Sequence, residues 1–441
     1  MKSRVMSGRS GQHREQVGGL ARKLSEIVDD WADSHPEWPA VRHAGRTVDY
    51  GELQRVSDHV ADRLLASGMV EGEHVGVYGR RSVDAVIGML AVLKAGGVYV
   101  PLDESVPHRR LQAMADDAGI RIVVTSPGVV LRIRNVRSRI DVAPAQEPAE
   151  PRPRHDRAPR DCAYVMFTSG TSGRPKAVRI PHSGVVRLCV PEGRYYRPVH
   201  GDRVLQSCGL SSDASTIEIW SALLRGACLV VVDHADVLSP HSLERRLQSE
   251  QVTVAYLTTS VFHHVARTRP EALAGLRFVS AGGEAMDPDL TRLVKRVCPG
   301  TQVVNFYGPT ENSVVSTAHV VDDLPEGASE VPIGRPIPYS TCHVLRSDLT
   351  PVHAGEEGDL YVGGDGLAIG YFGDEELTSN RFSTGLLLEG ERLYRTGDRA
   401  VHGASGELLY RGRRDRQIKI GYSRRARDHA VLGCRNKERC P

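Results

Sequence analysis

The sequence predicts an α/β fold: a large core with a parallel sheet, followed by a smaller β-rich subdomain. Two observations carry this prediction. Short apolar runs alternate with helical stretches over most of the chain, and the density of glycine and proline rises after about residue 331, where short alternating strands dominate. With 441 residues, of which 40% are hydrophobic and 25% are charged, the chain can bury more than one apolar core.

A strand, a helix and a second strand form the clearest single unit. Residues 75–78 have a strand pattern, Ser82 is a suitable N-cap, and apolar residues continue as a helix over 83–93. The lysine and two glycines within 94–97 are typical of a helix end, and a strand is predicted at 98–100. Because a strand–helix–strand unit of this length joins parallel strands, the segment favours a parallel sheet.

The same alternation extends along the rest of the chain. Helical spacing of apolar residues predicts helices over 24–31 and 50–65. Further strands are predicted at 163–168, 228–232, 252–257, 276–279, 302–306, 342–345, 358–362 and 407–410. The predicted organisation is a disordered N-terminus over 1–20, an α/β core of two subdomains over 21–330 with a surface linker near 131–160, a β-rich subdomain over 331–414, and a hinge with a non-globular basic tail over 415–441.

Charge and cysteine content exclude several classes of protein. The 57 basic and 54 acidic side chains leave a net charge of +3, which is too balanced for a nucleic-acid or membrane-surface protein. The eight cysteines form no CxxC pair and no zinc-type cluster, which favours reduced, mostly buried thiols. The N-terminus has no apolar signal-peptide region, and the longest apolar run, 86–93, is far shorter than a membrane span. We therefore expect a cytoplasmic protein with no membrane or nucleic-acid partner.

One predicted strand leads into a loop of hydroxyls and glycines that ends in a lysine. Glycines let several backbone N–H groups approach one anion, hydroxyls add donors and lysine adds charge, so the loop can hold phosphates. The spacing differs from the P-loop pattern, and taken alone the segment fits an ordinary Ser/Gly-rich surface loop better. A retained lysine in an arginine-dominated chain favours the phosphate site. The candidate phosphate-binding residues are Thr168, Ser169, Gly170, Thr171, Ser172, Gly173 and Lys176.

Together with seven further segments, this loop resembles the motifs of the adenylate-forming, AMP-binding superfamily, specifically the amino-acid adenylation domains of nonribosomal peptide synthetases. The segments occur in the order typical of that family, and such an ordered set is far more specific than any single motif. The match is closest for Leu-Lys-Ala-Gly-Gly-Val-Tyr-Val-Pro-Leu-Asp at 93–103 and for Asn-Phe-Tyr-Gly-Pro-Thr-Glu at 305–311. The other segments lie at 47–53, 212–220, 358–371, 394–398 and 412–419.

The resemblance implies a nucleotide site that uses ATP and Mg²⁺. It assigns adenine stacking to Tyr307, a phosphate contact to Thr310, Mg²⁺ binding to Glu311 and the ribose hydroxyls to Asp398. The chemistry agrees, because Mg²⁺ prefers oxygen ligands and a carboxylate offers two acceptor oxygens. Taken alone, Tyr307 also fits a packed core tyrosine, Glu311 a surface carboxylate, and Thr-Gly-Asp an ordinary turn. The implied nucleotide-binding set also contains Gly282, Gly283, Glu284, Asn305, Gly308 and Arg413.

Asp213 decides the expected substrate class. A carboxylate in an apolar pocket is costly unless it meets a cation, and the α-ammonium group of an amino acid is the matching partner in the family. The alternative for Asp213 is an N-cap for the helix that ends near Trp220. The remaining pocket positions carry no second charge, so we expect an amino acid with an uncharged, mainly apolar side chain. Those positions correspond approximately to Ala214, Ile217, Ser260, Val279, Ala281, Phe306, Val314 and Val315.

The resemblance also implies a C-terminal α+β lid subdomain that follows a hinge at Asp415. The family pattern stops after Lys419 and Ile420, and residues 421–441 hold six basic side chains without a hydrophobic period. We therefore expect a truncated chain without the lid and without the family lysine that bridges the carboxylate and the α-phosphate. No catalytic residue is assigned with certainty, and we expect binding of ATP and amino acid but slow adenylation.

The expected function is ATP-dependent activation of an α-amino acid for nonribosomal peptide synthesis. The expected partners are the amino acid, a carrier protein bearing phosphopantetheine that is supplied in trans, and an optional small accessory activator protein. One alternative is an acyl- or aryl-CoA ligase of the same superfamily, against which Asp213 and the complete 93–103 motif argue. The other is a pseudoenzyme that binds nucleotide and amino acid without turnover.

Overall fold

Three β-sheets and the helices packed on them form the described part of the protein. The computed structural model describes residues 20–143, 158, 160–168, 175–189, 195–385 and 390–414. Within these residues the helices α1 to α11 span, in order, Leu24–Ser34, Tyr50–Ala66, Val83–Lys94, His108–Asp117, His182–Val186, Ala214–Leu223, His234–Leu238, Pro240–Ser249, Thr259–Thr268, Pro288–Val297 and Glu375–Arg381. The strands β1 to β21 span Pro39–His43, Arg46–Asp49, His74–Gly79, Val98–Asp103, Ile122–Thr125, Ser138–Asp141, Cys162–Thr168, Lys176–Pro181, Arg203–Gln206, Cys228–Val231, Val254–Thr258, Phe278–Gly282, Gln302–Tyr307, Thr317–Val321, Arg335–Pro336, Ser340–Leu345, Glu357–Gly364, Gly370–Tyr371, Phe382–Thr384, Arg392–His402 and Leu408–Arg413.

A seven-stranded sheet contains the predicted strand–helix–strand unit. Its order is β18-β8-β7-β4-β3-β5-β6, and β3 pairs in parallel with both β4 and β5. The helix α3 between β3 and β4 begins after Ser82, whose hydroxyl accepts a hydrogen bond of 3.1 Å from the backbone N–H of Ala85. The predicted parallel sheet and the predicted N-cap are therefore confirmed. The helices predicted over 24–31 and 50–65 correspond to α1 and α2.

Two features of this sheet differ from the sequence prediction. The strand predicted at 98–100 continues through Pro101 to Asp103. Its pairing with β7 is confined to Tyr99 and Tyr164, so the missing N–H of Pro101 interrupts no ladder on that side. The segment predicted as a surface linker contains strand β6, which pairs in parallel with β5 at the edge of the sheet. Only Ile140 of this short strand is buried, which explains why no apolar run marks it.

In a nine-stranded sheet, candidate site residues lie at the carboxyl ends of neighbouring parallel strands. Its order is β15-β14-β13-β12-β11-β9-β10-β1-β2, and the neighbours β11, β12 and β13 run in parallel. Their register places Thr258 beside Gly282, and Gly282 beside Phe306, at the carboxyl ends of the three strands. Open parallel sheets bind ligands in the crevice outside these ends.

A five-stranded antiparallel sheet lies within the predicted β-rich subdomain. Strands β16, β17, β20 and β19 follow one another in the sheet, and β21 pairs with β20. The same region also sends a strand to each larger sheet, because β15 pairs with β14 and β18 pairs with β8. This stretch of chain is thus joined by backbone hydrogen bonds to the core that precedes it.

The largest apolar core lies between the two larger sheets and includes helices α1, α2, α3 and α6. Trp220 of α6 is buried to 1% exposure and donates from its indole N–H to the hydroxyl of Tyr99 at 2.9 Å. This bond satisfies both polar atoms, as buried donors and acceptors require. None of the helices in the described residues is both long enough and apolar enough to cross a membrane.

Candidate nucleotide and amino-acid site

Tyr307, at the end of strand β13, meets the carboxylate of Asp398 from β20. The Tyr307 hydroxyl donates to Asp398 Oδ2 at 2.6 Å, and Arg413 Nη1 donates to Asp398 Oδ1 at 3.0 Å. Burial and, second, the negative charge of Asp398 raise the pKa of the Tyr307 hydroxyl well above its usual value. Asp398 is 7% exposed, so its carboxylate is kept in a mostly desolvated position by an opposite charge and a phenol. Three of the predicted nucleotide residues therefore form one hydrogen-bonded group.

Glu311 lies in the short 3₁₀ helix Thr310–Asn312, which follows the Tyr-Gly-Pro motif, and it is 8% exposed. The Tyr371 hydroxyl donates to Glu311 Oε1 at 2.7 Å, and the Tyr394 hydroxyl is 3.5 Å from that of Tyr371. Burial and, second, the charge of Glu311 raise the pKa of both phenols. Both tyrosines remain neutral donors at neutral pH, which stabilises the buried carboxylate.

One end of the predicted phosphate loop lies near a tyrosine that binds this carboxylate. Thr168 and Lys176 are paired across the antiparallel strands β7 and β8, so the two residues that flank the predicted loop lie opposite each other. Lys176 Nζ is 5.6 Å from the centre of the Tyr371 ring, whose hydroxyl holds Glu311. The loop lysine and the predicted metal carboxylate therefore share a neighbour. Five predicted members of the loop lie outside the described residues: Ser169, Gly170, Thr171, Ser172 and Gly173. The predicted hinge residue Asp415 also lies outside them.

Asp213 contacts Thr310 of the nucleotide motif. The Thr310 hydroxyl donates to Asp213 Oδ2, while the second carboxylate oxygen makes no hydrogen bond with the described residues. Asp213 precedes helix α6 in helical backbone conformation, and its side chain makes no capping bond to that helix. The structure therefore does not support the alternative role of Asp213 as an N-cap. Instead, Asp213 places one carboxylate oxygen against the 310–311 segment and leaves the other available.

Five predicted pocket residues belong to the largest apolar core. All five are buried, and the first two lie on helix α6, directly after Asp213: Ala214, Ile217, Phe306, Val314 and Val315. The Phe306 ring lies edge-on to Tyr195 and Tyr196, with centres 6.0 Å and 5.9 Å away, and is stacked on Tyr256 at 6.4 Å. Aromatic side chains thus fill much of the space at this end of the sheet.

Three other predicted pocket residues are not brought together with this cluster. Val279 and Ala281 belong to the apolar cluster on the opposite face of the nine-stranded sheet, because residues two apart along β12 point to the same face. Phe278 instead belongs to the same apolar cluster as Phe306, on the other face of the sheet. Ser260 is exposed at the start of α9, where its hydroxyl lies 3.3 Å from that of Thr258. The pocket inferred as one set is therefore divided by the sheet.

Close contacts or backbone conformation explain three glycines of the candidate site. A Cβ at Gly282 would lie 2.8 Å from the carbonyl oxygen of Phe306 and 3.1 Å from the Tyr256 hydroxyl. A Cβ at Gly308 would lie 2.3 Å from the carbonyl oxygen of Val314. The backbone at Gly283 has φ +99°, a region that favours glycine. These positions let the ends of two strands approach each other closely.

Two predicted nucleotide residues make their own contacts within the protein. Glu284 is exposed, and its carbonyl oxygen accepts a hydrogen bond of 3.1 Å from the Thr259 hydroxyl. Asn305 is buried, and its side-chain amide donates to the carbonyl oxygen of Pro332 at 2.8 Å. Asn305 thus binds the segment that leads into the β-rich region.

Sequence reasoning missed Tyr371, Tyr394 and Tyr256 as site residues. The first two fell inside recognised segments, but nothing local shows that their hydroxyls reach a carboxylate in a different part of the chain. Tyr256 is an ordinary strand residue by pattern, yet it stacks on Phe306 and its hydroxyl faces Gly282. Its pKa is raised, mainly by burial and to a smaller extent by neighbours that include Asp213.

The residues present fit a magnesium ion shared with phosphate. No group of three His, Cys, Asp or Glu side chains that could hold a metal occurs among the described residues. Glu311 therefore offers a single carboxylate, as is usual for Mg²⁺, which keeps several waters and binds substrate phosphates rather than a protein cage. The Tyr371 hydroxyl binds Glu311 Oε1, and a carboxylate has further lone pairs on its two oxygens that can bind such an ion.

Comparison with known proteins places this arrangement in a family. The family model described as AMP-binding enzyme matches residues 28–372. The chain belongs to the AMP-binding enzyme family. It is 35% identical over 400 residues to surfactin synthase subunit 2 of Bacillus subtilis strain 168, an alignment that covers 90% of this chain and 11% of that protein. The chain thus spans about a tenth of the length of this relative.

Two solved structures share the fold of this chain. A nonribosomal peptide synthetase protein containing adenylation and PCP domains, bound to a vinylsulfonamide inhibitor, is 31% identical, with a TM-score of 0.83 over 91% of this chain and 69% of that chain. The N-terminal subdomain of NpsA from Klebsiella oxytoca, in complex with 3-hydroxybenzoyl-AMSN, is 28% identical, with a TM-score of 0.79 over 89% of this chain and 100% of that chain. The predicted resemblance to adenylation domains of nonribosomal peptide synthetases is confirmed.

Proposed function

We propose that this chain activates the carboxylate of an α-amino acid with ATP, which yields an aminoacyl-adenylate and pyrophosphate. In this reaction a carboxylate oxygen attacks the α-phosphorus, and pyrophosphate leaves. The observation that carries the proposal is the contact between Thr310 and Asp213, because it joins the candidate ammonium-binding carboxylate to the residue that precedes the candidate metal-binding Glu311. The two substrates would thus be held with their reacting atoms close together.

The nucleotide would lie across the carboxyl ends of the parallel strands. Asp398 is already oriented by Arg413 and Tyr307, and its acceptor oxygens suit the two ribose hydroxyls. Lys176 and Thr168 flank the loop that would hold the β- and γ-phosphates. Mg²⁺ bound at Glu311 would supply neutralising positive charge to the phosphates.

The amino acid would be recognised by Asp213. Its second oxygen is available for the α-ammonium group, and the buried side chains of Ile217, Phe306 and Val315 near helix α6 carry no charge. We propose an uncharged, mainly apolar substrate side chain. We also propose that a carrier protein bearing phosphopantetheine receives the activated acyl group, which the adenylation and PCP domains of the similar structure support.

ATP–pyrophosphate exchange tests this proposal. The chain is assayed with a panel of amino acids, in parallel with their analogues that lack the amino group. We expect exchange with a subset of uncharged amino acids only. A preference for Asp, Glu, Lys or Arg would contradict the proposed side-chain class, and nucleotide binding without exchange would support the pseudoenzyme alternative.

An aryl acid is the second candidate substrate. The similar NpsA subdomain was solved with a 3-hydroxybenzoyl ligand, and aromatic rings surround Phe306 in this chain. The same panel separates the two possibilities, because an aryl acid without an amino group would be activated independently of Asp213.

A further inference from the structure

A strained turn follows the candidate metal ligand. Ser313 has φ +49° and Val314 has φ +72°, so two successive residues with side chains occupy the left-handed region. This region is costly for residues other than glycine, above all for a β-branched one such as valine. Strained backbone persists only where the surrounding structure holds it. The turn therefore needs a specific restraint, and it lies two residues after Glu311.

Arg187 supplies contacts on both sides of this turn. Its guanidinium is fully buried, and Nη2 donates to the carbonyl oxygens of Asn312 and of Val315, the latter at 2.7 Å. These two carbonyls bracket the strained pair. Nη1 donates to the Ser340 hydroxyl at 2.7 Å, which connects the turn to strand β16. Burial lowers the pKa of Arg187 to about 10, so the side chain remains charged at neutral pH.

The packing around Arg187 leaves it little freedom. A Cβ at Gly366 would lie 2.1 Å from Arg187 Nε and from its Nη2. The Ser313 hydroxyl donates to the carbonyl oxygen of Gly366 at 2.7 Å, so the same glycine also contacts the turn. The turn, the guanidinium and this glycine therefore form one close-packed unit.

We propose that Arg187 is a positioning residue that keeps the 312–315 turn left-handed and thereby orients Glu311 toward the magnesium ion of the bound nucleotide. This inference rests on the proposed function, because it takes Glu311 as the magnesium ligand. The hydrogen bonds of the Arg187 guanidinium go to two backbone carbonyls of the turn and to the Ser340 hydroxyl, so it acts through the backbone of the turn. Lysine cannot replace it, since one ammonium group cannot reproduce the fork that spans two carbonyls and a hydroxyl.

The test measures how strongly Mg²⁺ improves ATP binding, by calorimetry of the whole chain with ATP in the presence of Mg²⁺ and of EDTA. We expect Arg187→Lys to reduce the improvement by about ten-fold or more, which is usual when a residue orienting a metal ligand is changed, while binding in EDTA changes little. Tyr50→Phe is the matched control, because it removes a buried donor that bonds the Ala227 carbonyl at 2.9 Å, remote from the turn. The control should keep the wild-type improvement.

Two further variants separate orientation of Glu311 from general destabilisation. Ser313→Gly makes the left-handed conformation less costly. In the double variant Arg187→Lys/Ser313→Gly, the improvement of ATP binding by Mg²⁺ should therefore be about five-fold larger than in Arg187→Lys alone. Gly366→Ala should reproduce the Arg187→Lys defect by displacing the guanidinium. It provides the same test of the proposal if the lysine variant does not fold.

The outcomes are distinguishable from failure of the proposed function. If the wild-type chain binds no ATP, the proposed function fails. If it binds ATP with magnesium dependence and both Arg187→Lys and Gly366→Ala keep that dependence, the positioning role is overturned while the proposed function stands. Absence of any recovery in the double variant also overturns the role, because the turn would not be the route by which Arg187 acts.

Discussion

Replacing Asp213 with alanine tests whether its carboxylate recognises an amino group. The Asp213 carboxylate accepts a hydrogen bond from Thr310 and has one oxygen available at the carboxyl ends of the strands. If that oxygen binds an α-ammonium group, the alanine variant loses an ion pair in a partly buried position. It should then lose affinity for the amino acid but not for an analogue that lacks the amino group.

The expected loss follows from the burial of the pair. Breaking a fully buried ion pair costs about 3–5 kcal/mol, and Asp213 is only partly buried, so we take about 2–3 kcal/mol. Since about 1.4 kcal/mol corresponds to a ten-fold change, the variant should lose about 30- to 150-fold in kcat/KM for the amino acid. Asp213→Asn should lose nearly as much, because the amide keeps the shape but not the charge.

The assay is pyrophosphate exchange with the preferred amino acid and with its deaminated analogue, on the wild-type chain and each variant. Ser212→Ala is the matched control, since it changes the adjacent residue without removing a charge. The measured quantity is the ratio of the two kcat/KM values, which cancels losses common to both substrates. A variant that prefers the amino acid as strongly as the wild type would refute the reasoning.

Three further predictions follow from the geometry. Tyr371→Phe removes the donor to Glu311 without leaving a cavity, so the free energy of unfolding should fall by about 1.5–3 kcal/mol in denaturant titrations; an unchanged midpoint would contradict this. Gly282→Ala should lower stability by about 1–3 kcal/mol and weaken ATP binding through a clash with backbone, whereas Gly300→Ala, where no atom lies within 4 Å, should do neither. Burial raises the pKa of phenols such as Tyr256 well above the ordinary tyrosine value of 10.0, so the folded state favours the neutral hydroxyl. This contribution to stability is complete below pH 10 and is lost as the pH rises above it, so the melting temperature should drop between about pH 10 and 12. A constant melting temperature over that range would contradict this.

The sequence allowed the parallel sheet and much of the site to be predicted because those features depend on local patterns. The β3–α3–β4 unit follows from apolar runs of strand and helix length, a capping serine and a terminal glycine pair. Tyr307, Asp398 and Arg413 were named from motif segments, and the structure brings the three together. Strand ends were less accurate: the strand predicted at 276–279 is β12, Phe278–Gly282.

The division of the amino-acid pocket could not be predicted in this way. Val279 and Ala281 belong to the opposite face of the sheet from Phe306, and only the register between β12 and β13 determines this. A list of pocket positions contains no information on register. A shift of one residue would have exchanged the two faces.

The sequence by itself determined the family, the order of the motifs and the residue types available for phosphate, metal and ammonium binding. These properties are local, since they depend on which side chains follow one another along a few residues. Only the tertiary structure decided that Tyr371 holds Glu311, that Thr310 contacts Asp213 and that Arg187 restrains the strained turn. Each of these contacts joins segments 60 to 128 residues apart along the chain, and the pairing of strands from three sheets, rather than any local pattern, sets which of those segments meet.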